Sequence, residues 1–164
     1  MDKEQWFRSD PELDHRIKQQ FLSLWAEKRQ LPADRFLTDP LTALAGILLF
    51  DQYPRNMFRL SAEQFATDAL ALAIAKGATE NGFDDEVAHD ERAFLYLPFE
   101  HSENLADQNR SVLFFTELGD PHYLKFARLH RGIIERFGRF PHRNAILGRA
   151  PRAAEVSAGN VVPW

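Results

Sequence analysis

Asp39-Pro40-Leu41-Thr42-Ala43-Leu44-Ala45-Gly46-Ile47-Leu48-Leu49-Phe50-Asp51-Gln52-Tyr53-Pro54-Arg55-Asn56 is the stretch that decides how this chain folds. Asp39 is a good N-cap and Pro40 stands where a first helical turn tolerates proline, so the pair reads as a helix start. Leu41 to Phe50 is apolar nearly all round and lacks the polar–apolar alternation of a half-buried strand. That is the pattern of a helix buried in a core. The run is too short to span a bilayer. It is expected to stop by Tyr53, because the residue before a proline is pushed out of the α region.

The same signals recur on either side. Asp10-Pro11 opens a helix with Leu13, Ile17, Phe21, Leu24 and Trp25 at helical spacing. Ser61-Ala62-Glu63-Gln64 matches a capping box for an alanine-rich helix through Phe65, Ala69, Leu70, Ala73 and Ile74. A short helix around Asp90 to Tyr96 is expected to be cut at Leu97-Pro98, and Ser102 is the N-cap candidate of the next, which Gly119 ends. Asp120-Pro121 opens another, with Phe126, Leu129, Ile133 and Phe137 inward, closed by Gly138 and Pro141. A short helix around Asn144 to Leu147 follows. No segment alternates as a strand does. The expected fold is therefore all-α, a compact antiparallel helical bundle without β-sheet. It forms one domain over residues 1–149, followed by a tail over 150–164 that is a short helix or irregular.

Composition narrows the function. A chain of 164 residues that is 45% apolar and 27% charged suits one soluble domain with one core. The absence of cysteine excludes disulfides, thiolate nucleophiles and cysteine-based metal sites. Met1 to Trp6 carries no apolar run of the signal-peptide kind, so a cytoplasmic protein with no membrane partner is expected. Between Glu80 and Asp120 there are eleven Asp or Glu against two Arg, and between Lys125 and Arg152 eight Lys or Arg against Glu135. The two segments are expected to face each other, and the net charge of −4 argues against nucleic acid as the basic segment's partner.

Polar residues gather around three prolines. Asp51-Gln52-Tyr53-Pro54-Arg55-Asn56 is one group, with Arg59 beyond; Pro98-Phe99-Glu100-His101-Ser102-Glu103 is the second. Arg136-Phe137-Gly138-Arg139-Phe140-Pro141-His142-Arg143-Asn144 is the third, with Arg149 beyond. Counting helix directions through an antiparallel bundle brings all three to one end. Gathered there, Asp51, Gln52, Arg55, Asn56, Glu100, His101, Glu103, Arg139, His142, Arg143 and Asn144 would supply guanidinium forks, amides, imidazoles and carboxylates. Such a set can hold a carboxylate or phosphate. The same residues can instead pair among themselves and merely tie helix ends together.

These three motifs, taken in order, resemble family 924 of the bacterial domains of unknown function, and the likeness runs from about Trp6-Phe7 to Leu147-Gly148-Arg149. The resemblance implies a TPR-like helical fold in the cytoplasm and no particular activity. Members usually carry a further segment before the Trp-Phe pair, so part of a first helix is expected to be missing. Where members have a Ser/Thr-Pro-Glu-Glu helix start, this chain reads Ala150-Pro151-Arg152-Ala153-Ala154-Glu155.

Other chemistries find little support. The six histidines, His15, His89, His101, His122, His130 and His142, show no metal-ligand spacing, so no metal and no cofactor is expected. Ser102 follows His101 but lacks a nucleophile elbow, there is no phosphate-cradling glycine loop, and His130 reads as a partly buried structural residue. Two readings remain. One is a site for a small anionic metabolite, catalytic or not; the other is a TPR-like protein-interaction module without activity. Oligomeric state and ligand identity are not encoded in any motif.

Overall fold

Aspartate–proline pairs start three helices of the computed structural model, which describes residues 10–162. In chain order the helices are α1 (Pro11–Lys28), α2 (Pro40–Ile47), α3 (Tyr53–Met57), α4 (Asp68–Glu80), α5 (His89–Glu100), α6 (Leu105–Leu118), α7 (Pro121–Phe137) and α8 (Ala153–Ala158). Asp10, Asp39 and Asp120 each accept backbone N–H bonds from the first turn that follows, which satisfies donors a helix start leaves open. Among the described residues there is no strand, so the fold is all-α, and no helix is long and apolar enough to cross a membrane. The Trp6-Phe7 pair, any earlier part of the first helix, and Trp164 lie outside the described residues.

Proline does not break the chain where the sequence suggests. After Ile47 the helix widens into a π turn (Leu48–Gln52) and continues directly into α3, with Tyr53 in the α region at φ −63 and ψ −36. Pro54 has no N–H to return to the carbonyl of Phe50. That carbonyl instead accepts the Thr67 hydroxyl at 2.6 Å, and Thr67 accepts the indole N–H of Trp25 at 3.1 Å. A buried relay from α1 therefore satisfies the group that proline orphans. In α5 the helix runs through Pro98 to Glu100. Its last turn, Tyr96 to Glu100, is wholly buried, and that packing offsets the lost bond.

The remaining differences are local. Ser61 caps only a 3-10 turn (Ala62–Phe65), and the α-helix starts later, at Asp68. Asn104, not Ser102, caps α6; Ser102 donates to Asp107 at 2.8 Å instead. Residues 144–148 form turns rather than a helix. Trp25 sets the buried face of α1 and leaves Leu24 40% exposed. On α7 the inner face is Tyr123, Ala127, His130, Ile133, Ile134 and Phe137, with Leu129 turned outward.

One core unites α1 to α7 around Phe50, Phe99, Phe115, Ile47, Ile74 and Leu95. Alanines at 71, 75 and 78 let α4 lie close to its neighbours. Gly119 at φ +76 turns the chain tightly from α6 into α7, which packs back alongside. Gly138 at φ +69 ends α7 and sends Phe140 into a second, smaller cluster with Ile133, Ile134 and Phe137.

A buried ring of charged and aromatic side chains

The π turn carries Asp51 inward, where it is fully buried. Insertions of this kind recur where a helix must aim a functional side chain. The Nδ1 of His101, one residue past the end of α5, lies 2.7 Å from Asp51 Oδ1, and Gln52 donates to the other carboxylate oxygen. Arg55, one turn after Asp51, places Nη1 3.3 Å from Asp51 Oδ1. It also grips Asp68 at the start of α4 with both forks, at 3.0 and 3.1 Å. On the far side of Asp68, at 3.6 Å, stands Arg143 Nη1.

Arg143 is unusually placed for a cation. Its side chain is 9% exposed, and its guanidinium lies 4.6 Å from the Phe65 ring centre and 4.5 Å from that of Phe140. Its Nε is buried without an acceptor. Among the described residues the Arg143 side chain donates no hydrogen bond at all. Phe140 in turn meets His130 at 5.5 Å, and His130 meets His101 at 6.4 Å between ring centres. The contacts thus close into a ring: Asp51, Arg55, Asp68, Arg143, Phe140, His130 and His101.

Burial and charge fix the protonation states. Burial would raise the Asp51 carboxyl, but Arg55, His101 and Gln52 outweigh it and hold the group well below the usual carboxylate range. Burial, joined by Arg55, lowers His101, so at neutral pH the imidazole is uncharged. Its Nδ1–H then donates to Asp51 and its Nε2 carries a lone pair with no partner among the described residues. Behind the ring, burial and then Asp51 push Glu100 up to about 8. His130, 3.3 Å away, falls to about 3, chiefly through burial, so the two meet as neutral groups, with His130 Nδ1 donating to Phe126 O at 2.9 Å. Glu100 Oε2 has no partner. Arg143 drops to about 10 through burial and then Arg55, and stays charged at neutral pH.

The residues singled out from sequence divide into three places. Asp51, Gln52, Arg55, His101 and Arg143 meet in the ring, with Glu100 against it. Asn56 points the other way and donates to Asp14 of α1 at 2.8 Å, beside Arg59. Glu103, Arg139 and Asn144 belong to a strap that holds the tail. Glu103 takes both forks of Arg149 at 2.6 and 2.9 Å and the Phe140 N–H at 2.7 Å. Arg139 and Asn144 both hold Glu155 of α8, at 2.6 and 2.9 Å. His142 lines a cavity of about 320 Å³ between Pro141–Ala145 and the tail, which includes none of the ring's charged residues. The acidic and basic segments meet in the ion pair Glu103–Arg149, while on α7 Arg131 pairs with Glu135 of its own helix.

Sequence reasoning missed Asp68, Phe65, Phe140 and Glu155. The signal was weak: Asp68 is one of two acids, with Glu63, near the start of an alanine-rich segment, and the phenylalanines looked like ordinary core. Among the described residues no group of three or more His, Asp or Glu is arranged to hold a metal ion.

Fold and ring together define a helical domain organised around a buried His–Asp–Arg network. Residues 1–158 match the family described as "Bacterial protein of unknown function (DUF924)", and the chain belongs to that family. A solved structure of a protein of unknown function from Agrobacterium tumefaciens is similar to it. That protein shares 41% identity over 95% of this chain and 88% of its own, with a TM-score of 0.86. No curated protein matches the chain.

Proposed function

We propose that the ring is a binding site for a small anion, a carboxylate or phosphate group, in a cytoplasmic protein. Arg143 carries the reading. A guanidinium nine-tenths buried, set against two phenyl rings, 3.6 Å from Asp68 and making no hydrogen bond, has donors available to a ligand. Arg55 is different: Asp51 and Asp68 already neutralise it, so it positions those carboxylates rather than receiving a ligand. The Asp51–His101 pair adds a neutral imidazole whose free nitrogen can accept a proton. Perturbed groups gathered this closely are more common at functional sites than elsewhere.

Thermal unfolding with a panel of phosphorylated and carboxylated metabolites tests the proposal. A ligand at a hundredfold its Kd should stabilise the fold by about 2.7 kcal/mol, visible as a shift of several degrees. The shift should vanish in Arg143→Met and persist in Asn56→Ala, which lies outside the ring. If no compound shifts the wild type and Arg143→Met is simply less stable, the ring only ties helices together. The TPR-like interaction reading would then be the one to pursue.

A further inference from the structure

The ring's charge and hydrogen-bonding pattern restrict which anion it can take. Before any ligand binds, two guanidiniums, Arg55 and Arg143, face two carboxylates, Asp51 and Asp68. His101, His130 and Glu100 contribute no charge at neutral pH. The cluster is balanced, so a dianionic phosphate would bring two uncompensated charges into a largely buried site, whereas a carboxylate brings one. Phe65 and Phe140 also lie 4.6 and 4.5 Å from the Arg143 guanidinium, so its planar fork of donors, which suits a flat carboxylate, sits against apolar walls.

The second restriction comes from His101. Asp51 holds its Nδ1, so Nε2 of the neutral ring can only accept a hydrogen bond. Arg55 contacts both Asp51, which holds His101, and Asp68, which faces Arg143, at 3.3 and 3.0 Å, so one guanidinium links the carboxylates behind the two groups. We infer that the site takes a small monocarboxylate bearing a neighbouring O–H or N–H, with Arg143 gripping the carboxylate and His101 Nε2 accepting from the hydroxyl or amino group. 2-Hydroxy acids are the simplest members of that class. This inference rests on the anion-site reading above.

Glycolate, acetate and inorganic phosphate titrated separately into the folded chain, followed by NMR, discriminate. Glycolate should bind about tenfold more tightly than acetate, the increment of one hydrogen bond, and more tightly than phosphate. In the wild type, the 15N resonance of His101 Nε2 should move on adding glycolate and stay put on adding acetate. His101→Phe should bring glycolate down to the affinity of acetate, and Arg143→Met should abolish binding of both. Equal affinity for glycolate and acetate, or tightest binding of phosphate, would overturn the inference while leaving an anion site in place. Binding of none of the three, or binding indifferent to Arg143→Met, would overturn both. The nitrogen resonance, measured on the unmutated chain, decides the matter even if His101→Phe fails to fold.

Discussion

Arg143 sets an opposition between stability and use. A buried cation without hydrogen bonds costs desolvation that its two aromatic contacts and Asp68, 3.6 Å away, only partly offset. Arg143→Met, similar in length and apolar, should therefore raise Tm by roughly 2–4 °C while abolishing any response to anions. A matching destabilisation would instead mark the arginine as a structural tie. Glu100 and His130 behave predictably with pH. Glu100 rises from 4.5 to about 8, so the folded chain keeps a proton that the unfolded chain releases. Its contribution is full below about pH 4.5 and lost as pH rises through about 8. His130 falls from 6.5 to about 3, so its contribution is full above pH 6.5 and lost as pH falls toward 3. Urea midpoints across this range should show Glu100→Gln flattening the alkaline decline and His130→Gln flattening the acid one. Asp51, His101, Arg143 and His142 also face this pair and should keep their own, separate inflections. Of these residues, the sequence made Asp51, Arg55, His101 and Arg143 stand out because charged residues beside X-Pro steps are conspicuous. Asp68 and the two stacking phenylalanines were illegible, since what they contact depends on helices far away in the chain.

Elements were most legible where a single residue carries the signal. Asp10, Asp39 and Asp120 cap as their chemistry dictates, because a capping side chain acts only on the three residues after it. Pro54 and Pro98 misled for the opposite reason. Whether a proline breaks a helix depends on who satisfies the carbonyl it abandons, and for Pro54 the answer is Thr67, thirteen residues on in sequence and supplied by the tertiary fold. Thr67→Val should leave Phe50 O and the Trp25 N–H without partners in a dry setting and cost about 2–4 kcal/mol, read from denaturant midpoints. A cost below about 0.5 kcal/mol would show that the relay does not hold the π turn. Ser61 failed as a helix start because Thr67 and Phe65, which would lie in that helix, are drawn off to Phe50 and to Arg143.

At the scale of the molecule, the tail completes what the bundle begins. Glu155 collects Arg139, Asn144 and the backbone N–H of Arg152, while Arg149 spans Glu103, Asn144 and the Phe140 carbonyl. Phe140 is the residue that backs Arg143, so the strap fixes one wall of the ring. Glu155→Ala should speed amide exchange over residues 139–158 and weaken anion binding, leaving exchange in α2 and α4 unchanged. Unaltered binding with a loosened tail would separate the strap from the site. The all-α architecture was legible from periodicity and caps. The strap was not, because its ion pairs join Glu103, just past α5, to Arg149, 46 positions later, and Arg139 to Glu155, 16 positions later, beyond the reach of any local pattern.

The path from Trp25 through Thr67 to Phe50 ends one residue short of Asp51. Trp25 is the one tryptophan among the described residues, with Arg29 stacked 4.3 Å from its ring. The chain thus carries its own optical gauge. If a bound molecule tightens the turn around Asp51, the polarity felt by that indole changes, and its emission shifts without any added dye. With Trp6 and Trp164 replaced by phenylalanine, occupancy of the ring becomes a colour change read from a residue that never touches the ligand.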